Sequence, residues 1–90
     1  MFELSIADYS RAISLEPTDA EALRGRGLAE LSLHDNDAAI RDLTAAITQN
    51  PRDGLAYRYR ALAYSAMSDR GRADADDKAS LQLDPDQRRR

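Results

Sequence analysis

Apolar residues recur every three or four positions along this chain, the spacing of helices that each bury one face. Leu4, Ile6, Tyr9, Ile13 and Leu15 predict a first helix over about residues 3–15, closed by Pro17, which cannot continue a helix. Thr18-Asp19-Ala20-Glu21 reads as a capping box that opens a second helix. Ala22, Leu23, Gly27, Ala29, Leu31 and Leu33 carry that helix to about residue 33. His34 takes the turn, in a left-handed conformation that histidine tolerates better than a β-branched residue does. Asp35 or Asn36 caps a third helix through Ala39, Ile40, Leu43, Ala46 and Ile47, which Pro51 stops. Asp53 caps a fourth, and Ser68-Asp69 opens a fifth over about residues 71–83, ahead of Pro85. Short connections force neighbouring helices to run antiparallel. No segment carries the alternation of a strand.

The three prolines fall 34 residues apart, and that interval recurs throughout. It relates Asp8 to Asp42 and Asp76, Ala12 to Ala46, Ile13 to Ile47, Arg24 to Arg58, Arg26 to Arg60 and Leu28 to Leu62. A period of this length marks a helical repeat array, in which each unit is a helix pair that buries its apolar face only against a neighbour. The fold class expected is all-α, a right-handed stack of antiparallel helix pairs with about five helices in a single domain over residues 1–85.

Composition narrows the function classes. The chain has no cysteine, which removes disulfides and thiolate metal sites, and its lone histidine leaves no metal ligand set; no metal and no cofactor are expected. A net charge of −3 gives no basic footprint for nucleic acid. No apolar run is long enough to span a bilayer, so no membrane partner is expected. No basic segment precedes an apolar stretch at the N-terminus, which predicts a cytoplasmic location. Arginine supplies all the basic residues but Lys78, a usage that fits a GC-rich bacterial genome.

The recurring charges have a structural explanation. Arg26 and Arg60 stand beside the small residues Gly27 and Ala61, close to the buried stripe, where a guanidinium needs a carboxylate or a route to water. The spacing predicts an Arg–Asp link joining Arg26 to Asp8 or Asp42, and Arg60 to Asp42 or Asp76, with Glu30 a further acceptor one turn from Arg26. Architecture repeats at a fixed period; an active site needs one copy. The chain is therefore not expected to be an enzyme.

Residues 20–51 read AEALRGRGLAELSLHDNDAAIRDLTAAITQNP. This segment resembles a tetratricopeptide repeat, whose pattern it meets with Leu23, Gly27, Ala39, Leu43, Ala46 and Pro51. Residues 54–85 hold Tyr57, Ala61, Tyr64, Ala73 and Pro85 at the corresponding places, with Asp77 and Ser80 departing from the pattern and Glu30 standing where Tyr64 matches it. The resemblance implies a half repeat (1–17, a second helix without its first) and two whole ones (20–51 and 54–85), with 86–90 a disordered basic tail.

The resemblance also implies a function. First helices of successive repeats line a concave face, which here would present Glu21, Arg24, Leu28 and Leu31, then Leu55, Arg58, Tyr59 and Leu62. That mixture suits a protein or peptide segment with acidic and apolar groups. The lysine/asparagine clamp by which part of the family grips a terminal carboxylate is not carried over, because its asparagine places hold Leu28 and Gly25. The alternative is self-assembly: the first helix would expose Phe2, Ile6, Tyr9 and Ile13, and a homodimer would bury them.

Overall fold

The computed structural model describes residues 2–83, with side chains from residue 6 onward. Five helices follow one another: α1 (Phe2–Leu15), α2 (Ala20–Ser32), α3 (Asn36–Gln49), α4 (Gly54–Ala66) and α5 (Arg70–Leu83). No strand occurs among the described residues. Pro17 and Pro51 stand two residues past the ends of α1 and α3. Pro85, the 86–90 tail and the side chain of Phe2 lie outside the described residues.

Aspartate opens four of the helices. Asp19, Asp35, Asp53 and Asp69 each accept from the backbone N–H three residues on, at 3.0, 3.4, 3.2 and 3.2 Å. A carboxylate there satisfies a helix N–H that has no partner within the helix and complements the positive helix end. The start of α2 therefore differs from the expected box: the cap is Asp19, not Thr18, since the carboxylate is the stronger acceptor and lies one residue nearer the helix.

The turns inside each repeat share one geometry. His34 and Ser68 both adopt positive φ, at 65° and 62°. The N–H of His34 donates to the Leu31 carbonyl at 3.0 Å and that of Asp35 to Glu30 at 2.9 Å. Ser68 and Asp69 do the same to Ser65 and Tyr64. The left-handed residue thus closes the old helix while the aspartate after it caps the new one.

Helix α2 packs on α3, and α4 on α5, as two pairs; α1 lies against α2, α3 against α4, and α2 also touches α4. The architecture is an α–α superhelix. Its core cluster is Leu23, Ala39, Leu43, Ala46 and Ala56, built mostly from small side chains that let helix axes approach closely. Gly27 shows how close: a Cβ there would lie 2.7 Å from Leu43 Cγ and 3.4 Å from the Ala39 carbonyl oxygen. Ile13, Ile47, Leu31 and Tyr59 pack around this cluster.

Candidate functional site

Helices α2 and α4 stand side by side because α1, α3 and α5 back them from one side, which leaves one face of the pair open. Between α1, α2 and α4 lies a cavity of about 440 Å³. Helix α2 contributes Glu21, Ala22, Arg24, Gly25 and Leu28, helix α1 contributes Tyr9 and Ala12, and Tyr59 closes the far side from α4. The Tyr9 ring lies against Gly25, where any side chain would collide with it. Glycine at that place therefore makes room for the ring beside the groove.

The concave-face residues fall into two groups. Glu21, Leu55, Arg58 and Leu62 are exposed, the two leucines by 42% and 49% of their surface. Leu28 and Tyr59 are half-buried in the cavity wall, while Leu31 turns partly into the core rather than opening onto the groove. Arg24 is tied down by its neighbour. One of its terminal nitrogens donates to both Asp53 oxygens at 3.0 and 3.1 Å, so the buried carboxylate that caps α4 also anchors α2 to it. Among the described residues Arg24 Nε and the other terminal nitrogen make no hydrogen bond, so donors remain for a ligand.

Behind the groove, two arginines lock the helices. Arg26 Nε donates to Asp42 Oδ2 at 2.7 Å and its Nη2 to Oδ1 at 2.8 Å. Arg60 grips Asp76 with the same atoms at the same distances. Each is the two-pronged geometry that a planar guanidinium makes with a carboxylate. Of the two acceptors open to Arg26, it takes Asp42 on its own repeat's second helix; Asp8 is exposed and outside the link. The third contact of each arginine reaches back to the preceding second helix: Arg26 Nη1 donates to Ser10 and Arg60 Nη1 to Thr44, both at 3.2 Å. Ser10 and Thr44, like Asp53 as the partner of Arg24, are not evident from composition. The signal that finds the first two is a hydroxyl recurring at the 34-residue interval.

The surroundings of the two locks differ. Glu30 lies beside the Arg26–Asp42 pair, with Oε1 buried and without a partner. Burial, a hydrogen bond to Asp42 and repulsion from that carboxylate push the Glu30 carboxyl up to about 8 against the pull of Arg26. Burial works to raise Asp42 as well, but hydrogen bonds from Arg26 and Glu30 outweigh it and hold this carboxylate below its ordinary value. In the second lock the place of Glu30 is taken by Tyr64. The Arg60 guanidinium lies 5.6 Å from the Tyr57 ring centre and 5.8 Å from that of Tyr64, and Arg72 also lies 5.8 Å from Tyr64. Aromatic faces stabilise the cation there.

Of the residues expected to mediate self-association, Ile13 packs toward the core, Tyr9 lines the cavity, and Ile6 is half-buried. No helix among the described residues is long and apolar enough to cross a membrane.

No family model and no curated protein sequence matches the chain. Solved structures do. The first TPR of Spaghetti (RPAP3), bound to the HSP90 peptide SRMEEVD, is 24% identical, with a TM-score of 0.91 over 93% of this chain and 67% of that one. The second TPR of the same protein, bound to the same peptide, is 25% identical, with a TM-score of 0.90 over 92% of this chain and 77% of that one. With the 34-residue period and the five stacked helices, these likenesses show that the chain has a tetratricopeptide-repeat fold.

Proposed function

We propose that the chain is a protein-interaction module that holds a segment of a partner protein along the face formed by α2 and α4. The observation that carries this reading is the 440 Å³ cavity, which combines half-buried apolar walls at Leu28 and Tyr59 with charged groups at its rim. Exposed Leu55 and Leu62 extend the apolar surface along α4. The two neighbours of known structure hold a peptide rich in acidic residues, which supports a peptide ligand here and, with Arg24 and Arg58 on the face, one carrying acidic groups beside apolar ones. The engagement of Asp42 and Asp76 by arginine supports binding rather than catalysis. A cytoplasmic site of action fits the same reading.

Arg24 also holds Asp53, so replacing it would disturb α4 as well as the groove. The cleaner test changes exposed positions. Leu62→Ser with Leu55→Ser should leave the helical circular dichroism and melting temperature of the chain unchanged, since both leucines are exposed. Affinity for the native partner should fall by tenfold or more, since each lost apolar anchor is worth about 1–2 kcal/mol. Unchanged affinity would place the site elsewhere.

A second reading is a homodimer through α1. It is favoured by Leu15, which exposes 82% of its surface. Sedimentation equilibrium decides it: a monomer at high concentration rules the dimer out.

A further inference from the structure

At the C-terminal end of α4 a second cavity, of about 280 Å³, opens between α3, α4 and α5. Asp37 and Ile40 line it from α3, Tyr64 and Met67 from the end of α4, and Asp69 and Arg72 from the start of α5. None of these residues lines the cavity beside α2. Three of them break the 34-residue period: Tyr64, Met67 and Arg72 stand where the preceding repeat has Glu30, Leu33 and Ala38. Ala38 is buried, whereas Arg72 leaves 71% of its side chain exposed. Packing alone asks for the same kind of residue at each interval, and here the kinds differ. The charges around the cavity are unevenly matched. Asp69 accepts from the Arg72 N–H at 3.2 Å and lies 3.5 Å from Arg72 Nε, while the Arg72 guanidinium covers the Tyr64 ring at 5.8 Å. Asp37, in the first turn of α3, is exposed and makes no hydrogen bond or ion pair among the described residues.

We propose that this cavity is a second interaction site, filled by a long basic side chain, arginine or lysine, of a partner protein. Its methylene stem lies on Ile40 and Met67, and its charged head meets Asp37. A volume of about 280 Å³ falls at the lower end of small-ligand pockets, which run from about 300 to 1,000 Å³, and suits one inserted side chain. Ile40 is half-buried and Met67 is 46% exposed, so both offer apolar surface, and a methionine adapts its shape to what it covers. Basic side chains are built for such a place, with an apolar stem that can be covered and a head that stays near water. Charge complementarity selects the sign. The negative charge of Asp69 is already matched by Arg72, which leaves that of Asp37 for the ligand. An acidic side chain would have to displace Asp69 from Arg72 and would face Asp37 as well. The site goes beyond the concave-face reading and does not rest on it.

The test titrates the N-acetyl amides of arginine, lysine, norleucine and glutamate into the isotope-labelled full chain and follows its backbone signals by NMR. Arginine or lysine amide should move the signals of Ile40, Tyr64 and Met67 to saturation. Norleucine amide, which has the stem without the charge, should bind at least about threefold more weakly, the effect of one partly exposed ion pair. Glutamate amide should leave these signals in place. Asp37 is exposed, so Asp37→Asn should keep the helical circular dichroism while bringing the basic probes down to the level of norleucine. The variant Leu62→Ser should bind the basic probes as before, which separates this cavity from the concave face. Basic and neutral probes of equal affinity, a preference for glutamate, or binding indifferent to Asp37→Asn overturns the inference. So does the absence of any shift at these three residues.

Discussion

The two whole repeats hold their helices with the same lock and surround it with different chemistry. In both, an arginine on the first helix grips an aspartate sixteen residues later with identical bond lengths, and touches a hydroxyl sixteen residues earlier. Beside Arg26 the third group is Glu30, its carboxyl pushed up to about 8; beside Arg60 it is a pair of tyrosine rings. A second acid near a buried ion pair is accommodated by holding a proton, since two carboxylates sharing one site cannot both ionise cheaply. Aromatic faces ask for no such adjustment. The period fixes where the lock sits, and the residue one turn on decides how it responds to pH.

The largest effect should come from breaking the lock. Arg60→Ala leaves Asp76, with 7% of its side chain exposed, without its partner, and removes both aromatic contacts. A cost of about 3–5 kcal/mol is expected in urea unfolding. Arg26→Ala should cost less, about 2–3 kcal/mol, because the Glu30 proton still donates to Asp42 and the arginine is the more exposed of the two. Equal costs would mean that Glu30 gives Asp42 no support.

Glycine gives the next contrast. Gly27→Ala forces a Cβ against Leu43 and should destabilise by about 1–3 kcal/mol through overpacking. Gly71→Ala, with nothing within 4 Å of its would-be Cβ, should stabilise α5 by up to about 1 kcal/mol through helix propensity alone. Thermal melts of the two single variants check the sign of each.

The pH response should belong to the first repeat. Glu30 binds its proton more tightly folded than unfolded, so the folded state loses its advantage as pH rises from the ordinary glutamate range to about 8. Stability should fall across that window and level off above it. Glu30→Gln, which keeps the donor and cannot ionise, should flatten the decline. Glu30→Tyr, which imports the residue of the second repeat, should flatten it too. Asp42, held below its ordinary value, acts the other way in acid, where stability is lost as the pH falls and that carboxylate is protonated. Urea titrations between pH 3 and 9 read both limbs.

The smallest effect concerns the turns. His34→Gly and Ser68→Gly relieve a left-handed backbone at equivalent places, and each should stabilise by about 0.5–1 kcal/mol, less the extra chain freedom of glycine when unfolded. A difference between them in melting temperature would show that one turn is held by more than its own hydrogen bonds.

Much of this fold was legible because repetition makes local signals redundant. Each proline, each cap and each small residue appears at the interval that its counterparts set. The lock was legible as a type but not as a pairing. Arg26 stands sixteen residues from Asp42 and eighteen from Asp8, and only the packing of α2 on α3 brings the first within reach. Arg24 reads as a groove cation, and its hold on Asp53 is hidden in the sequence because that aspartate already serves as a cap. The protonation of Glu30 depends on how deeply α2 sinks between its neighbours, a depth that spacing along the chain does not encode. Tyr9 and Ala12 entered the cavity wall for a similar reason: which side of α1 stays open is a property of the stack.

The measurement that tests this account most directly is a carbon-13 NMR titration of the Glu30 side-chain carboxyl in the folded chain, with Glu30→Gln used to assign the signal. A midpoint near 8 is the predicted result, with no such transition left in the variant. A midpoint in the ordinary glutamate range, about 4.3, would contradict it, since Glu30 would then be ionised at neutral pH and the two locks would share one electrostatic environment.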